Sequence, residues 1–233
     1  MNKIFEEDSY IKEFETKIIS LDVENNLIEL EKTAFYGKGG GQPGDTGTLI
    51  TQLESIEVIE TVKKENTLTH KVQSINNLKI GDIIKGKIDW NKRYKYMKMH
   101  TALHLLCAAV PMGVTGGQIG DIKSRLDFNT NANSINKEEL QEKLNQILKK
   151  NHMIKYEWIN SEELEKKPEL IRTMSVKPPK TSSKIRLVKI GDIDLQPCGG
   201  THVKNTSEIG AIIVGKIENK GKMNRRINIS LSD

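Results

Sequence analysis

The sequence predicts an α+β protein in two parts: a small β-barrel over residues 1–89, then an α+β domain with a largely antiparallel sheet over residues 90–233. Three observations carry this. Apolar and polar residues alternate with a period of two as far as residue 89, the period becomes helical near residue 90, and after one more helical stretch strand-like runs return.

In the first part, "FETKIISLDVENNLIELEKTAF" places two strands around an Asn-Asn turn, and "SIEVIETVKK" and "GDIIKGKID" add alternating segments. Between them, "FYGKGGGQPGDTG" holds six glycines in thirteen residues, too many for a strand interior and too localised for a flexible linker, which makes it a shaped loop. In "DWNKRYKYMKMHTALHLLCAAV", Met97, Leu103, Leu106 and Val110 form a helical stripe that Pro111 ends. "PMGVTGGQIGD" reads as a loop and "SRLDFN" as a strand. Ser134 can cap a second helix whose apolar face carries Leu140, Leu144, Ile147 and Leu148. "MIKYEWI", "KIRLVKIG", "DIDLQP", "GAIIVGKIE" and "RRINISL" then read as strands, with "VKPPKTSSK" the most loop-like stretch.

Composition narrows the function classes. Hydrophobic residues at 36% and charged residues at 29% are globular values, which excludes global disorder. There is no apolar run near the roughly 20 residues that cross a bilayer, and "MNKIFEEDSYIKEFE" is acidic where a signal peptide is basic. A cytoplasmic protein without a membrane partner is expected. Residues 172–233 hold 12 Lys and Arg against 5 Asp and Glu, a surplus of +7, while the rest of the chain carries 24 against 26. A partner rich in phosphates would be drawn to that last quarter.

Only two cysteines and five histidines occur, yet four of the seven fall into two pairs spaced by four. "HTALH" sets His100 and His104 on one face of the predicted helix, and "CGGTH" brings Cys198 and His202 together through a Gly-rich turn. Zn²⁺ is the natural guest for three imidazoles and a thiolate. Cys107, seven positions after His100, competes as a ligand, but "LHLLCAAV" is apolar and favours a core thiol. His70 and His152 lack companions and read as surface or internally satisfied residues. Thr101 stands where a zinc peptidase of the HExxH kind needs its glutamate, which argues against peptidase activity.

"HTALH", "PCGGTHV" and "FYGKGGGQPGDTG", together with "GDIIKGKIDWNKR", "RLDF" and "RRINIS", resemble the editing region of alanyl-tRNA synthetases in order and separation. They resemble above all the free-standing alanyl-tRNA editing family, from about Phe14 to Leu231. The resemblance implies a zinc-dependent deacylase acting on mischarged tRNA(Ala), chiefly Ser-tRNA(Ala) and sometimes Gly-tRNA(Ala). It makes His100, His104, Cys198 and His202 the metal ligands and sets Thr115 and Gln118 in the substrate pocket. Thr115 would bond the serine hydroxyl, and Gln118 would position water or the carbonyl. Backbone N–H groups of Gly39, Gly40 and Gly41 would approach the acceptor end, with Lys220, Lys222, Arg225 and Arg226 on phosphates. Because the barrel starts almost at residue 1, with no room for an aminoacylation domain before it, editing in trans is implied.

An aminoacyl ester is labile, so such an enzyme needs positioning, activated water and oxyanion stabilisation rather than a covalent nucleophile. Zinc could activate water or hold the substrate's α-amino group; the residues leave both open. Four protein ligands ordinarily close a zinc site, which favours an ion that loses or adds a ligand, with His202 the loosest. Two rivals remain: a non-catalytic zinc-stabilised tRNA-binding module, and a zinc hydrolase of small esters, which the basic last quarter disfavours.

Overall fold

Strand β2 (Glu13–Asp22) shows how alternation builds the first part: Phe14, Thr16 and Ile18 turn inward while Glu13, Glu15 and Lys17 face out. The architecture is that of a computed structural model, which describes residues 1–64, 67–130, 134–173 and 184–232. The chain divides into two units, Met1–Lys95 and Tyr96–Asp233.

In the first unit β2 joins β3 (Leu27–Leu30), β5 (Gly47–Ile50), β6 (Ser55–Lys64), β7 (Thr67–Val72) and β8 (Ile83–Ile88). They close a barrel in the order β2-β3-β7-β6-β5-β8. Two short strands, β1 (Asn2–Lys3) and β4 (Lys32–Thr33), pair parallel beside it. Its core is the inward face of these strands, among them Phe14, Ile18, Ile28, Leu30, Leu49 and Val58, with Phe35 from the loop after β4. Gly86 on β8 makes room for an aromatic ring, since a Cβ there would lie 2.5 Å from Phe14 Cζ. The predicted Asn-Asn turn joins β2 to β3, with Asn26 at a φ of 53°.

The Gly-rich loop folds into a tight hairpin turn at Gly40 and Gly41. Gly39 and Gln42 exchange backbone hydrogen bonds of 3.1 and 2.9 Å around Gly40 and Gly41, whose φ values of 56° and 82° suit a two-residue turn that glycine tolerates. Arg93, fully buried in the first turn of helix α1 (Trp90–Ala109), clamps the other end. Its Nε donates to both Asp45 oxygens at 3.0 and 2.9 Å, and Nη1 donates to Ser9 O at 2.9 Å.

The second unit holds two antiparallel sheets. Strands β9 (Gly113–Gln118), β10 (Lys123–Asn129), β14 (Ala211–Asn219) and β15 (Asn224–Ser232) lie in the order β14-β15-β10-β9. Strands β11 (Ile154–Ile159), β12 (Ile185–Ile190) and β13 (Asp194–Pro197) form the other. Helix α2 (Lys137–Lys149) buries Leu140 and Leu144. Its Gln141 bonds Ile212 O and Val214 N on the edge strand β14, satisfying backbone groups an edge leaves unpaired. Helix α3 is short (Ser161–Glu165).

Two expectations need correcting. The stretch "PMGVTGGQIGD" contains strand β9 rather than a loop: its glycines fit beneath the side chains of β10, since a Cβ on Gly117 would lie 2.8 Å from Leu126 Cδ2. Asn136, not Ser134, caps α2, accepting from the backbone N–H groups of Glu138 and Glu139. Apart from Lys184, "VKPPKTSSK" lies outside the described residues. Among the described residues no helix is long and apolar enough to cross a membrane.

Candidate metal centre

From Met97 onward α1 is buried almost all round, so the stripe of Met97, Leu103, Leu106 and Val110 is one face of a helix inside the core. A helix in that setting cannot leave polar side chains unpaired, because each would forfeit its water without replacement. The partners of His100, Thr101 and His104 come from the segment Asp194–His202, about 90 to 100 residues away. Cys107, on the same helix, is buried, and burial pushes its thiol up to about 12, as befits a core residue.

One donor atom from each of His100, His104, Cys198 and His202 falls in a cluster with no two more than 4.8 Å apart. Cys198 Sγ stands 3.5 Å from His100 Nε2 and 3.4 Å from His202 Nε2. A tetrahedral zinc with bonds of about 2.3 Å to sulfur and 2.0–2.1 Å to nitrogen sets S···N edges of about 3.5 Å. The donors fit such an ion in type, and the two S···N distances match it in separation.

Electrostatics prepare two of these donors, Cys198 and His202, while His104 would have to give up a proton to a metal. Burial opposes ionisation of the Cys198 thiol, but the charge of the neighbouring His100 and hydrogen bonds from His100 and His104 outweigh it and hold it well below its ordinary value. Burial, then the charge of His100, keeps His202 well below its usual value and therefore neutral. A thiolate and a neutral imidazole are the forms that ligate a metal. Burial alone would lower His104, yet hydrogen bonds to Asp194 and Cys198 and the charges of both raise it to about 10.

Other residues shape the centre. Thr101 Oγ1 donates to Met97 O at 2.9 Å and lies 3.1 Å from His202 Nδ1. Its one proton being committed, His202 donates from Nδ1 and keeps the Nε2 lone pair. Asp194 Oδ2 lies 2.8 Å from His104 Nδ1, and Gln196 Nε2 donates to the same oxygen at 2.9 Å. Arg186, nearly buried on β12, donates from Nε to Cys198 O at 3.0 Å and from Nη2 to Gly200 O, bracing the turn that carries the thiol. Sequence reasoning missed Asp194, Gln196 and Arg186. Asp194, Gln196 and Cys198 alternate in "DIDLQPC", a period-two signal pointing to one strand face.

The remaining expected residues sit elsewhere in the fold. Thr115 lies on β9 at a bulge, its hydroxyl within reach of Asp127 O at 3.1 Å and Asn224 Oδ1 at 3.3 Å. Gln118 is exposed at the end of β9, opposite Arg125. Gly40 and Gly41 are exposed, but the N–H of Gly39 is spent on Gln42. Lys220 and Lys222 are exposed in the turn between β14 and β15. Arg225 is half-buried, and Arg226 is held bidentately by Asp127 at 2.7 and 2.8 Å, a bond that in turn lowers the Asp127 carboxyl below its usual range. His70 is buried inside the barrel between Thr33 Oγ1 at 3.0 Å and Ile28 O at 3.1 Å.

Two family models match separate parts of the chain. The family model described as tRNA synthetases class II (A) matches residues 5–92, and that of the threonyl and alanyl tRNA synthetase second additional domain matches residues 185–228. A Methanosarcina acetivorans protein named alanyl-tRNA editing protein AlaX-M is 36% identical over 238 residues, 97% of each chain. One of the same name from Saccharolobus solfataricus is 38% identical over 231 residues, 97% of this chain and 96% of that one. An alanine–tRNA ligase of Saccharolobus islandicus is 35% identical over 228 residues, 93% of this chain but 25% of the ligase. With likeness to the editing proteins running nearly end to end in both chains, this chain belongs to the AlaX-type alanyl-tRNA editing family.

Proposed function

We propose that this protein is a zinc-dependent deacylase that removes wrongly attached amino acids, chiefly serine and also glycine, from tRNA(Ala). The observation that carries the reading is the convergence of His100, His104, Cys198 and His202, donors from two distant segments, with the Cys198 thiol held well below its ordinary value. When bound, zinc would supply Lewis-acid character and positive charge beside the ester. The match to nearly the whole length of the editing proteins supports editing as the class of reaction.

The chain's own residues then select and hold the substrate. Thr115 commits its proton to Asp127 O or Asn224 Oδ1, which leaves a lone pair to accept a hydrogen bond from the seryl hydroxyl. Alanine offers no such donor, so a site that excludes water around Thr115 rejects the correct product. Gln118 offers an amide to orient water or the carbonyl. On the tRNA side, Lys220 and Lys222 make the phosphate contacts with Arg225, and the turn at Gly40 and Gly41 meets the acceptor end. Arg226 serves by shaping β10 and β15 through Asp127.

Four protein donors also suit a closed structural ion, which favours the second reading, a zinc-stabilised tRNA-binding module. Purified protein incubated with Ser-, Gly- and Ala-tRNA(Ala) separates the two. The deacylase releases serine and spares alanine, whereas binding without turnover on any of the three leaves the module.

A further inference from the structure

His104 is backed differently from His202. Behind His202 stands the neutral hydroxyl of Thr101, but behind His104 stands a carboxylate: Asp194 and His104 are both nearly buried and Oδ2 lies 2.8 Å from Nδ1. Gln196 Nε2 stands 3.1 Å from the same ring nitrogen and 2.9 Å from the same oxygen. Two N–H donors cannot point at each other, so once the ring is neutral, as a metal ligand must be, this triangle has one arrangement. Gln196 gives its proton to Asp194 Oδ2, Nδ1–H of His104 gives its proton to that oxygen too, and Nε2 is left with its lone pair toward the donor cluster. The other carboxylate oxygen, Oδ1, is buried without a hydrogen-bond partner among the described residues. The carboxylate therefore spends its hydrogen bonds on holding this ring and the amide that steadies it.

Resting on the metal reading above, we propose that Asp194 is the positioning residue of the centre, locking His104 as the Nδ1–H tautomer and holding it more firmly as a ligand than Thr101 holds His202. A carboxylate behind a ligating imidazole fixes the ring and raises its basicity, and loss of such a partner typically costs about 10–100-fold in metal affinity. A neutral hydroxyl orients without adding charge. Of the two imidazoles, His104 would then be held the more firmly and His202 the less.

Competition with a chromophoric chelator measures zinc affinity in wild type, Asp194→Ala, Asp194→Asn and Thr101→Val, with melting of each zinc-free protein recorded in parallel. Asp194→Ala should lose up to roughly 100-fold in affinity, Asp194→Asn roughly tenfold because its amide oxygen still accepts Nδ1–H without the charge, and Thr101→Val less than either. Imidazole ¹⁵N spectra of zinc-loaded wild type should show His104 protonated at Nδ1 with that proton strongly hydrogen-bonded and slow to exchange, and Asp194→Ala should lose the protection. Undiminished affinity in Asp194→Asn, or a drop in zinc-free melting alone, would reduce Asp194 to a fold residue and overturn the inference while leaving zinc binding intact. Failure of the wild type itself to take up zinc would instead bring down the metal reading and this inference with it.

Discussion

Acidification should weaken the barrel unit through one residue, His70. It is fully buried, and burial lowers its pKa from 6.5 to about 4, the hydrogen bond to Ile28 O opposing that only in part. Its neutral ring is fully used: Nδ1–H donates to Ile28 O and Nε2 accepts from Thr33 Oγ1. A second ring proton would force the Thr33 hydroxyl to turn and accept, and would put a charge in the fully buried barrel interior beside Phe35, 5.4 Å away. The sign follows from proton counting. Between pH 6.5 and 4 the unfolded chain binds a proton at this residue that the folded chain refuses, so stability falls as pH falls through the window and levels off below it. A shift of that size is worth about 3 kcal/mol at 1.36 kcal/mol per unit. Urea unfolding of wild type and His70→Gln at several pH values measures it. Subtracting the two curves removes the metal-site histidines, which titrate in both. A difference that stays flat from pH 7 to 4 would show that His70 is charged or exposed in the folded barrel and would refute the reasoning.

Thr115→Val keeps the shape of the side chain and removes the hydroxyl, so Ser-tRNA(Ala) deacylation should fall roughly tenfold to hundredfold for about 1–3 kcal/mol, with Gly-tRNA(Ala) much less affected. Equal losses on both substrates would mean that the hydroxyl acts through its bond to Asp127 O, supporting β9 rather than reading serine. Lys220→Ala with Lys222→Ala should flatten the salt dependence of tRNA affinity by about two contacts' worth, as filter binding across a salt series would show. Arg226→Ala, with its partner Asp127 left behind, should lower melting temperature more than it changes that slope.

The barrel was legible because half-buried strands announce themselves by alternation, as in Phe14, Thr16 and Ile18, and because Asn26 takes the left-handed turn that asparagine tolerates. The cluster of His100, His104, Cys198 and His202 was legible for a different reason: rare residue types at i, i+4 stand out without any knowledge of the fold. Strand β9 escaped because its glycines look like loop residues until Leu126 lies against them. Asp194, Gln196 and Arg186 escaped because a polar residue in a strand ordinarily means a solvated face. Their meaning depends on a buried helix about 90 residues away. Arg93 and Asp45 are alike in this, an Arg that reads as helix surface and an Asp that reads as loop, joined inside the barrel unit 48 positions apart. The amide of Gly39 shows the converse, where a glycine-rich loop promises open N–H groups and the turn itself consumes one.

The most direct test of zinc-dependent editing is to strip the protein with a chelator, confirm by metal analysis that it is empty, and follow Ser-tRNA(Ala) deacylation as zinc is returned. Activity should vanish on stripping and recover at one zinc per chain, while Cys198→Ala neither retains the metal nor recovers. Full serine release by the stripped protein, or undiminished zinc in Cys198→Ala, would contradict the account.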